Sequence, residues 1–505
     1  MPVDYIRDDV KRHERDYWSV SRDCFEGSPA VKRRRERYLP KPITEENEKQ
    51  DKARYESYLR RAIFYNVVGR TVRGFKGLVF SKDPYKALNP QFAYMYDNVD
   101  GLGCSIDSQA GMALIFTLLY GRGGFLVNYP DVDGATAEDV ATGRVGPQIL
   151  LYEARDIINW RITGEGTRAQ LSLLVLRETY TVATDDYDAC EYVRYRELRI
   201  VDGQLVVKIW DTNQLAGKMY NYAQARIPAS VLRNVNPDVY RPTKADNSAW
   251  TEIPFQIFGA DKNDFELEVP PVYDMCMVNL GHYVNSADHE ESSFTVGQPT
   301  YYIKGLTQRW VDDNMSGGVF IGSRRVIPLP EKGEVGIVQP DPNTLPSEGM
   351  KHKEQQLIAL GAKLVENAGV ARTATESSKQ DVVDNSILAV CARNVSAAYN
   401  RCIKWCCEYA GIPFNPNETY ELSDHYETSK MTAQERQQLL EEFISGVIDL
   451  QEYRTALKQS KIAWKPDDQL QDDTAARDRA LLAKNGPKEP QVAQPNPGPT
   501  AGETR

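Results

Sequence analysis

The sequence predicts an α+β protein organised around residues 270–409, where three helical patterns enclose one strand-rich insertion. In each helical pattern, apolar residues recur at steps of three or four, which is the spacing of an amphipathic helix. In the insertion, glycines and prolines separate short runs of β-branched and aromatic residues, which is typical of strands joined by turns. The predicted order is a helix, a small β-rich module, a second helix, a polar loop and a long third helix.

Bulk composition limits what this arrangement can be. The chain has 505 residues, of which 41% are hydrophobic and 26% are charged, so it is large enough for a globular protein of several domains. No run of 18 apolar residues occurs and the N-terminus is charged, so we expect neither a membrane span nor a signal peptide. Eight scattered cysteines favour reduced, buried thiols. The net charge of −10 argues against a high-affinity DNA-binding surface.

The N-terminal part, residues 1–54, is highly charged. Because no matching basic stripe follows its one basic run, we interpret the segment as a solvated arm and not as a nucleic-acid patch. The cations of the basic run are Lys32, Arg33, Arg34, Arg35 and Arg37.

A mixed body follows the arm. A helix rich in arginine and aromatic residues is expected at 52–76, and a short apolar strand at 78–80. A second helix is expected at 107–120, with Asp107 as its cap and a glycine cluster at its end. The glycines follow this helix, whereas phosphate loops precede one, so the pattern does not predict a nucleotide site.

Residues 145–270 are predicted to form mainly β-strands. The pair Asp202-Gly203, between two alternating runs, predicts a tight hairpin. The polar, proline-containing segment 214–247 is interpreted as a surface excursion. The predicted strands are 125–129, 148–152, 157–162, 171–177, 192–200, 205–210 and 254–259.

The remaining helices are predicted from their apolar stripes and from the capping residues at their N-termini. The first amphipathic helix carries its apolar stripe over 272–287, the second spans 347–368 and the third spans 387–409. Thr432 and Glu435 form a capping box for a further helix, and Asp449 is expected to cap another. A helix is also expected at 473–484, and the proline-rich tail after 485 is expected to be disordered.

The search for catalytic chemistry finds two pairs of metal-ligand type, His282 with His289 and Cys402 with Cys406. A metal needs further ligands than the histidines offer, and both cysteines lie on an apolar stripe, where a thiol behaves as a small hydrophobe. The sequence contains no GxxxxGK[ST], GxGxxG, GxSxG or HExxH motif. We therefore expect no catalytic residues, no cofactor and no bound metal.

A set of short phrases, in a fixed order along the chain, carries a family resemblance. Asn128 is a departure within them, because an acid is expected before Tyr129-Pro130. The phrases are Tyr38-Leu39-Pro40-Lys41, Arg61-Ala62-Ile63-Phe64-Tyr65-Asn66 with Arg70-Thr71-Val72, Gly77-Leu78-Val79-Phe80 with Pro84, Leu126-Val127-Asn128-Tyr129-Pro130, Ile158-Asn159-Trp160-Arg161, Pro270-Pro271 and Gly297-Gln298-Pro299.

In these phrases the chain resembles the portal proteins of tailed bacteriophages, the head-to-tail connectors, over most of residues 38–465. The resemblance implies an α/β wing, a helical stem, a β-rich clip inserted between the stem helices, a long helix and an α-helical C-terminal crown. The implied boundaries are 1–54 for the N-terminal arm, 55–270 for the wing, 271–291 and 346–368 for the stem helices, 292–345 for the clip, 369–380 for the tunnel loop, 381–426 for the long helix and return to the wing, 427–483 for the crown and 484–505 for a disordered tail.

The resemblance further implies a homo-oligomeric ring, a dodecamer, at one capsid vertex of a virion assembled in the host cytoplasm. Such a ring is a channel for genome packaging and ejection and is not an enzyme. Its implied partners are the terminase large subunit, a head-tail adaptor, capsid and scaffold proteins, and double-stranded DNA that passes without sequence specificity, with no membrane. Twelve chains together carry a charge on the order of −120, which would repel DNA from most of the inner wall.

Two sets of site residues follow from this assignment. In the tunnel loop, Arg372, Thr373 and Lys379 are expected to contact DNA, the alternative being a surface loop without that role. In the clip, the expected interface residues are Ile303, Val319 and Ile321. The alternative function is a cytosolic multidomain enzyme, a nuclease or transferase with dispersed catalytic residues, and the oligomeric state distinguishes it from a ring.

Overall fold

The computed structural model describes the chain in two units, Met1–Tyr426 and Glu427–Arg505. It contains both helices and sheets, so the α+β class is confirmed. The described residues are 3–42, 48–130, 145–166, 169–183, 187–211, 236–298, 300–314, 329–339, 341, 343–363, 386–424, 433–444, 447 and 453.

The N-terminal segment is helical and packs into the main core. Val10, Trp18 and Val31 are at most 2% exposed and belong to the same apolar cluster as the body. The prediction of a solvated arm is therefore wrong for residues 3–42, because sparse apolar positions among many charges anchor the segment. Its elements are helix α1 (Asp8–His13), a π-helical turn (Glu14–Trp18), α2 (Ser19–Glu26), α3 (Ser28–Arg33) and a 3₁₀ turn (Arg35–Arg37).

The single helix expected at 52–76 is two helices, and the strand expected at 78–80 is absent among the described residues there. Asn66 starts the second helix, because its side-chain oxygen accepts a hydrogen bond of 2.8 Å from the Gly69 amide. The second helix continues to Val79 because its apolar stripe is buried, so burial overrides the glycines in it. The two helices are α4 (Glu48–Arg61) and α5 (Val67–Val79).

The next helix begins at Ser105, not at the predicted cap Asp107. The Ser105 hydroxyl accepts a hydrogen bond of 3.2 Å from the Ser108 amide, whereas Asp107 accepts one from the Tyr420 hydroxyl. The helix ends at Gly121 in the left-handed conformation, as predicted (φ 74°). It is α6 (Ile106–Tyr120), preceded by strand β1 (Tyr85–Lys86) and a 3₁₀ helix (Pro90–Tyr96).

A three-stranded antiparallel sheet lies beside α6. Its central strand contains Gly123 and Gly124, where an added Cβ would lie 2.3 Å from the Phe258 ring and 2.2 Å from the Phe255 ring. The glycine cluster thus allows aromatic side chains to lie against the strand. The sheet consists of β2 (Arg122–Asn128) between β3 (Gln148–Glu153) and β9 (Phe255–Gly259).

A second sheet has five antiparallel strands in sequence order. Asp202 and Gly203 both have positive φ (52° and 78°), as a two-residue primed turn requires, so the predicted hairpin is confirmed. The expected surface excursion at 214–247 contains the edge strand of this sheet, Asp238–Tyr240. Residues 212–235 lie outside the described part of the chain. The strands are β4 (Ile157–Thr163), β5 (Gln170–Ala183), β6 (Ala189–Val201), β7 (Gln204–Asp211) and β8 (Asp238–Tyr240).

The later elements include the predicted helix pair, its strand-containing insertion and the long helix. The long helix packs on β2, β9 and α6. In the C-terminal unit, one described helix carries Phe443, whose ring stacks on Tyr453 at 4.8 Å. The elements are α7 (Tyr273–Gly297), β10 (Thr300–Lys304), α8 (Gln308–Asn314), β11 (Glu334–Val338), α9 (Leu345–Lys363), α10 (Ile387–Ala410), β12 (Tyr420–Glu421), which pairs with β1, and α11 (Ala433–Ile444).

A buried hydrogen-bond chain ties three of these elements together. The Tyr399 hydroxyl on α10 donates to the side-chain oxygen of Gln109 on α6 at 2.9 Å. The Gln109 amide nitrogen donates in turn to the Ile149 carbonyl of β3 at 2.8 Å. Each polar group of this chain is satisfied inside the core, which fixes how α10 and α6 meet the sheet.

We predict that Tyr399→Phe lowers the free energy of unfolding by about 1–3 kcal/mol, because it leaves the buried Gln109 oxygen without its donor. Urea unfolding of the full chain, followed by circular dichroism, measures the change. The control is Tyr85→Phe, since Tyr85 is 60% exposed, and it should stay within about 0.5 kcal/mol. Equal effects of the two variants would contradict the assignment.

Candidate functional site

The two helices predicted on either side of the insertion lie against each other. His282 of α7 is 5% exposed, and its Nε2 lies 3.4 Å from a carboxylate oxygen of Glu354 on α9. Leu357 of α9 is 2% exposed beneath the pair. An added Cβ on Gly349 would lie 2.4 Å from the Asn285 side chain, so the helices approach closely where one lacks a side chain. With 25 residues, α7 is about 37 Å long at 1.5 Å per residue.

Another face of α7 is held to the body by buried polar groups. Asn279 is fully buried, and its side chain donates to the Tyr65 carbonyl at 2.9 Å and accepts from the Val68 amide at 3.4 Å. Ser286, two turns further on, accepts from the Ile63 amide at 3.2 Å. These contacts satisfy backbone groups in the break between α4 and α5.

Toward its C-terminal half, α7 is joined to α4 by charged groups. The Tyr58 hydroxyl donates to Asp288 at 2.6 Å, and burial together with this hydrogen bond raises the pKa of Tyr58. Arg61 forms an ion pair with Glu291, and its guanidinium lies 4.3 Å from the centroid of the Phe294 ring. The seam between α7 and the α4–α5 segment therefore extends over about four helical turns.

Apolar side chains remain exposed on the helix pair. Met277 and Phe294 of α7 are 48% and 45% exposed, and Leu345 and Ile358 of α9 are each 73% exposed. Large apolar side chains grouped on one pair of helices are typical of a surface that another molecule covers.

The insertion between the helices contains a two-stranded antiparallel sheet of β10 and β11, whose long connection includes α8; we refer to this strand pair as the hairpin. Its register runs from Thr300 opposite Val338 to Lys304 opposite Glu334. The predicted clip residue Ile303 lies in β10 and is half-buried. The hairpin therefore starts directly after α7 ends and is completed before α9 begins. The other two predicted clip residues, Val319 and Ile321, lie outside the described residues.

The predicted tunnel-loop residues also have no described geometry. Residues 364–385 are outside the described part of the chain, and they include Arg372, Thr373 and Lys379. Their roles remain predictions from the sequence.

The histidine pair lies at a cavity of about 530 Å³ between α7, α9 and the 63–71 segment. His282 and His289 both line it, together with Glu290 and Glu354. Within the described ranges, no group of three or more histidine, cysteine or acidic side chains has the geometry to hold a metal ion. The Nδ1 atoms of both histidines are buried and have no hydrogen-bond partner among the described residues.

The cysteine pair is part of the apolar core. Cys402 and Cys406 of α10 are both fully buried, and burial raises the pKa of each thiol. A raised pKa disfavours the thiolate that metal binding or nucleophilic attack requires. The interpretation of these cysteines as small hydrophobes agrees with this placement. No helix in the described part of the chain has the length and apolar character needed to cross a membrane.

A protein-family model described as a domain of unknown function (DUF4055) matches residues 271–410. The matched stretch contains the helix pair, the hairpin and the long helix α10. No curated protein sequence matches the chain.

Three solved structures of gene transfer agent (GTA) particles are similar to the chain. The neck of an empty particle computed with C6 symmetry shares 13% identity at a TM-score of 0.38, covering 80% of this chain and 92% of the other. The virion of the native particle gives the same values. The neck of the native particle computed with C12 symmetry shares 14% identity at a TM-score of 0.38, covering 79% and 92%.

The sequence did not identify the polar seam of α7. Asn279 and Ser286 look like ordinary polar residues of an amphipathic helix, and their partners are more than 200 positions away in the chain. The available signal was that Asn279 falls three positions after the stripe residue Cys276, on the face that is buried. A buried asparagine on an apolar stripe indicates a backbone group that needs a partner.

We predict that Asn279→Leu lowers the free energy of unfolding by about 1–3 kcal/mol or more, because it leaves the Tyr65 carbonyl and the Val68 amide without side-chain partners. Urea unfolding measures the loss. Gln355→Leu replaces an exposed amide on α9 and is the matched control, for which we expect a change within about 0.5 kcal/mol. A stable Asn279→Leu protein would show that the seam does not need these hydrogen bonds.

Proposed function

We propose that this chain is the portal subunit of a phage-type virion, and that copies of it form a closed ring at one capsid vertex. The observation that carries the proposal is the packed pair α7 and α9, with a hairpin inserted between them and apolar side chains left exposed along both helices. In the ring, α7 and α9 are the stem, β10 and β11 belong to the clip, and the two sheets with α4–α6 form the wing.

The exposed apolar residues support a contact with another copy. A closed ring needs two different surfaces on each subunit that fit each other, which is a heterologous interface. Met277 lies on one helix of the pair and Ile358 on the other, so each helix offers an apolar contact of its own. Burial of large apolar side chains stabilises such a contact by about 1.5–3 kcal/mol per residue.

The central channel is proposed to pass double-stranded DNA during packaging and ejection. The net charge of −10 per chain favours a wall that DNA does not adhere to. In this proposal Arg372, Thr373 and Lys379 contact phosphates in the tunnel loop, since such contacts carry no sequence information.

The clip is proposed to dock the terminase large subunit and later the head-tail adaptor, and the wing to face capsid and scaffold proteins. The hairpin supports this assignment because Ile337 and Val338 of β11 are 55% and 57% exposed. Exposed apolar side chains on a two-stranded sheet suit contact with a partner. The enzyme alternative has no specific observation in its favour among the described residues, and we do not propose it.

We predict that Ile358→Asp prevents ring formation, because a charge placed in an apolar contact without a partner costs about 3 kcal/mol or more. Mass photometry and negative-stain microscopy of the purified chain should show rings for the wild type and small species for the variant. Gln355→Asp adds the same charge to an exposed position of the same helix and should leave the rings intact. A wild-type chain that stays monomeric under all conditions would overturn the proposal itself.

We further predict that Ile303→Asp spares ring assembly but reduces DNA packaging, because the altered hairpin no longer docks the motor. Packaging in the presence of terminase and binding of the adaptor to isolated rings provide the measurements. The control is Val239→Asp, which introduces the same charge on the edge strand β8 at a position 57% exposed. Loss of soluble protein for Ile303→Asp would place this residue in the main core, and unchanged packaging would remove its docking role.

A further inference from the structure

A basic cavity lies between the N-terminal helices and the five-stranded sheet. Its volume is about 430 Å³, which is large enough for a small ligand. Isoleucine and valine side chains form its apolar part, and Ser19 contributes a hydroxyl. The charged residues that line it are Lys11, Glu14, Arg15, Arg22, Arg34, Arg37, Arg155 and Arg177.

Five of the seven cations in this lining pair with acids that lie outside it. Asp23 pairs with Arg34 through two hydrogen bonds of 2.7 and 3.1 Å, and Asp156 pairs with Arg177 at 2.8 Å. A guanidinium has five N–H donors, so a pair of this kind orients the group and leaves other donors for a ligand. The remaining pairs are Lys11 with Asp8, Arg15 with Asp16, and Arg155 with Glu153.

Two arginines have donor capacity that these acids do not use. Arg22 pairs with Glu14 at 3.3 Å, but its Nη1 atom is buried and has no hydrogen-bond partner among the described residues. Arg37 donates to two neutral oxygens, the Arg15 carbonyl at 2.6 Å and the Ser19 hydroxyl at 2.9 Å. A guanidinium with unused donors favours an anion, and the side chains of Arg22 and Arg37 both line the cavity.

Glu14 is the one acid in the lining. Burial raises its pKa despite the nearby Arg22 and Arg155, and its Oε2 atom lacks a hydrogen-bond partner in the described part of the chain. This carboxyl group is therefore poorly stabilised as an anion, while seven cations face the same space.

We propose that this cavity binds a phosphate-type oxyanion, with Arg22 and Arg37 as the main donors and Arg34, Arg155 and Arg177 around it. Arginine is the side chain best suited to such groups, because its planar fork matches two phosphate oxygens at once. A free diphosphate and a phosphate of a DNA backbone offer the same chemistry. The site lies outside the stem and clip, so it does not depend on the proposed function.

The arginines of the basic run in the sequence lie in two different places relative to this cavity. Arg34 and Arg37 line the cavity, whereas Arg33 pairs with Glu26 and Arg35 pairs with Glu56 away from it. Arg33 and Arg37 are both exposed members of one short run. They form a matched pair for a test, because replacing either removes one positive charge from the same region.

Isothermal titration of the full chain with pyrophosphate at low ionic strength tests the site. We expect saturable binding with one site per chain, and an affinity reduced about tenfold or more in Arg37→Ala. Arg37→Gln, which keeps a hydrogen-bond donor but not the charge, should also weaken binding. Arg33→Ala should change the affinity by less than about twofold, because Arg33 does not line the cavity and its charge is paired with Glu26.

A short DNA duplex added as competitor identifies the source of the phosphate. Displacement of pyrophosphate by the duplex, lost in Arg37→Ala, assigns the site to a DNA phosphate. Undisturbed pyrophosphate binding assigns it to a free anion, and either result supports the proposal. No saturable binding of pyrophosphate by the wild type would overturn it. So would equal losses in Arg33→Ala and Arg37→Ala, since that result indicates nonspecific attraction.

Discussion

The attachment of α7 to the break between α4 and α5 is the constraint on which the remaining arrangement depends. A chain that leaves a helix at Arg61 and enters another at Val67 carries backbone groups that neither helix satisfies. Asn279 and Ser286 supply partners for two of them, the Val68 and Ile63 amides, and Asn279 also donates to the Tyr65 carbonyl, which accepts from the Val67 amide as well. Because unsatisfied buried groups are expensive, only one register of α7 against the body serves all three. The position of α9 and of the hairpin follows, since both are connected to α7.

α7 packs against α2 and the α4–α5 segment as well as against α9, and among the described residues Ile358 and Met277 of the pair stay exposed. The exposure of Ile358 and Met277 is therefore a consequence of the topology, because two helices alone cannot enclose an apolar side chain on every face. The main core around α10 differs from the helix pair. The sheet strands β2 and β9 and helix α6 pack against α10, and its residues Trp405 and Tyr399 are at most 2% exposed. Part of the exposed apolar surface, including Ile358 and Met277, lies on the elements that the proposed ring would bring together.

The sequence predicted the strands and the helix pair well, for a physical reason. Period-two and period-three-to-four patterns report burial on one face, and Asp202-Gly203 encodes a turn by local backbone preference alone. Prediction from the sequence failed where a contact between residues far apart in the chain determines the local structure. Asn66 ends one helix pattern because its side chain caps the next, and the Trp18 region is buried because the body supplies a surface for it. The seam and the basic cavity were missed for the same reason, since their partners come from elements far apart in the chain.

Arg122 and Arg196 are buried arginines of the two sheets, and Arg122 lies where the N-terminal segment attaches. Arg196 is held by Glu178 and its pKa is raised, whereas burial lowers the pKa of Arg122 to about 9. The Arg122 guanidinium lies 4.6 Å from the centroid of the Trp160 ring, and that of Arg7 lies 4.1 Å from it. Because the folded pKa of Arg122 is below the unfolded value, its charge opposes folding below about pH 9, and that cost decreases as the pH rises above about 9. Contact with the indole ring offsets part of the cost.

Arg7 also donates to the Trp160 carbonyl at 3.2 Å, so the same aromatic residue binds the N-terminal segment to the sheet. Some charges of this segment thus contact the sheet and the cavity beside it, while Arg15 and Arg33 stay largely exposed. Charged composition alone therefore wrongly predicted a solvated arm.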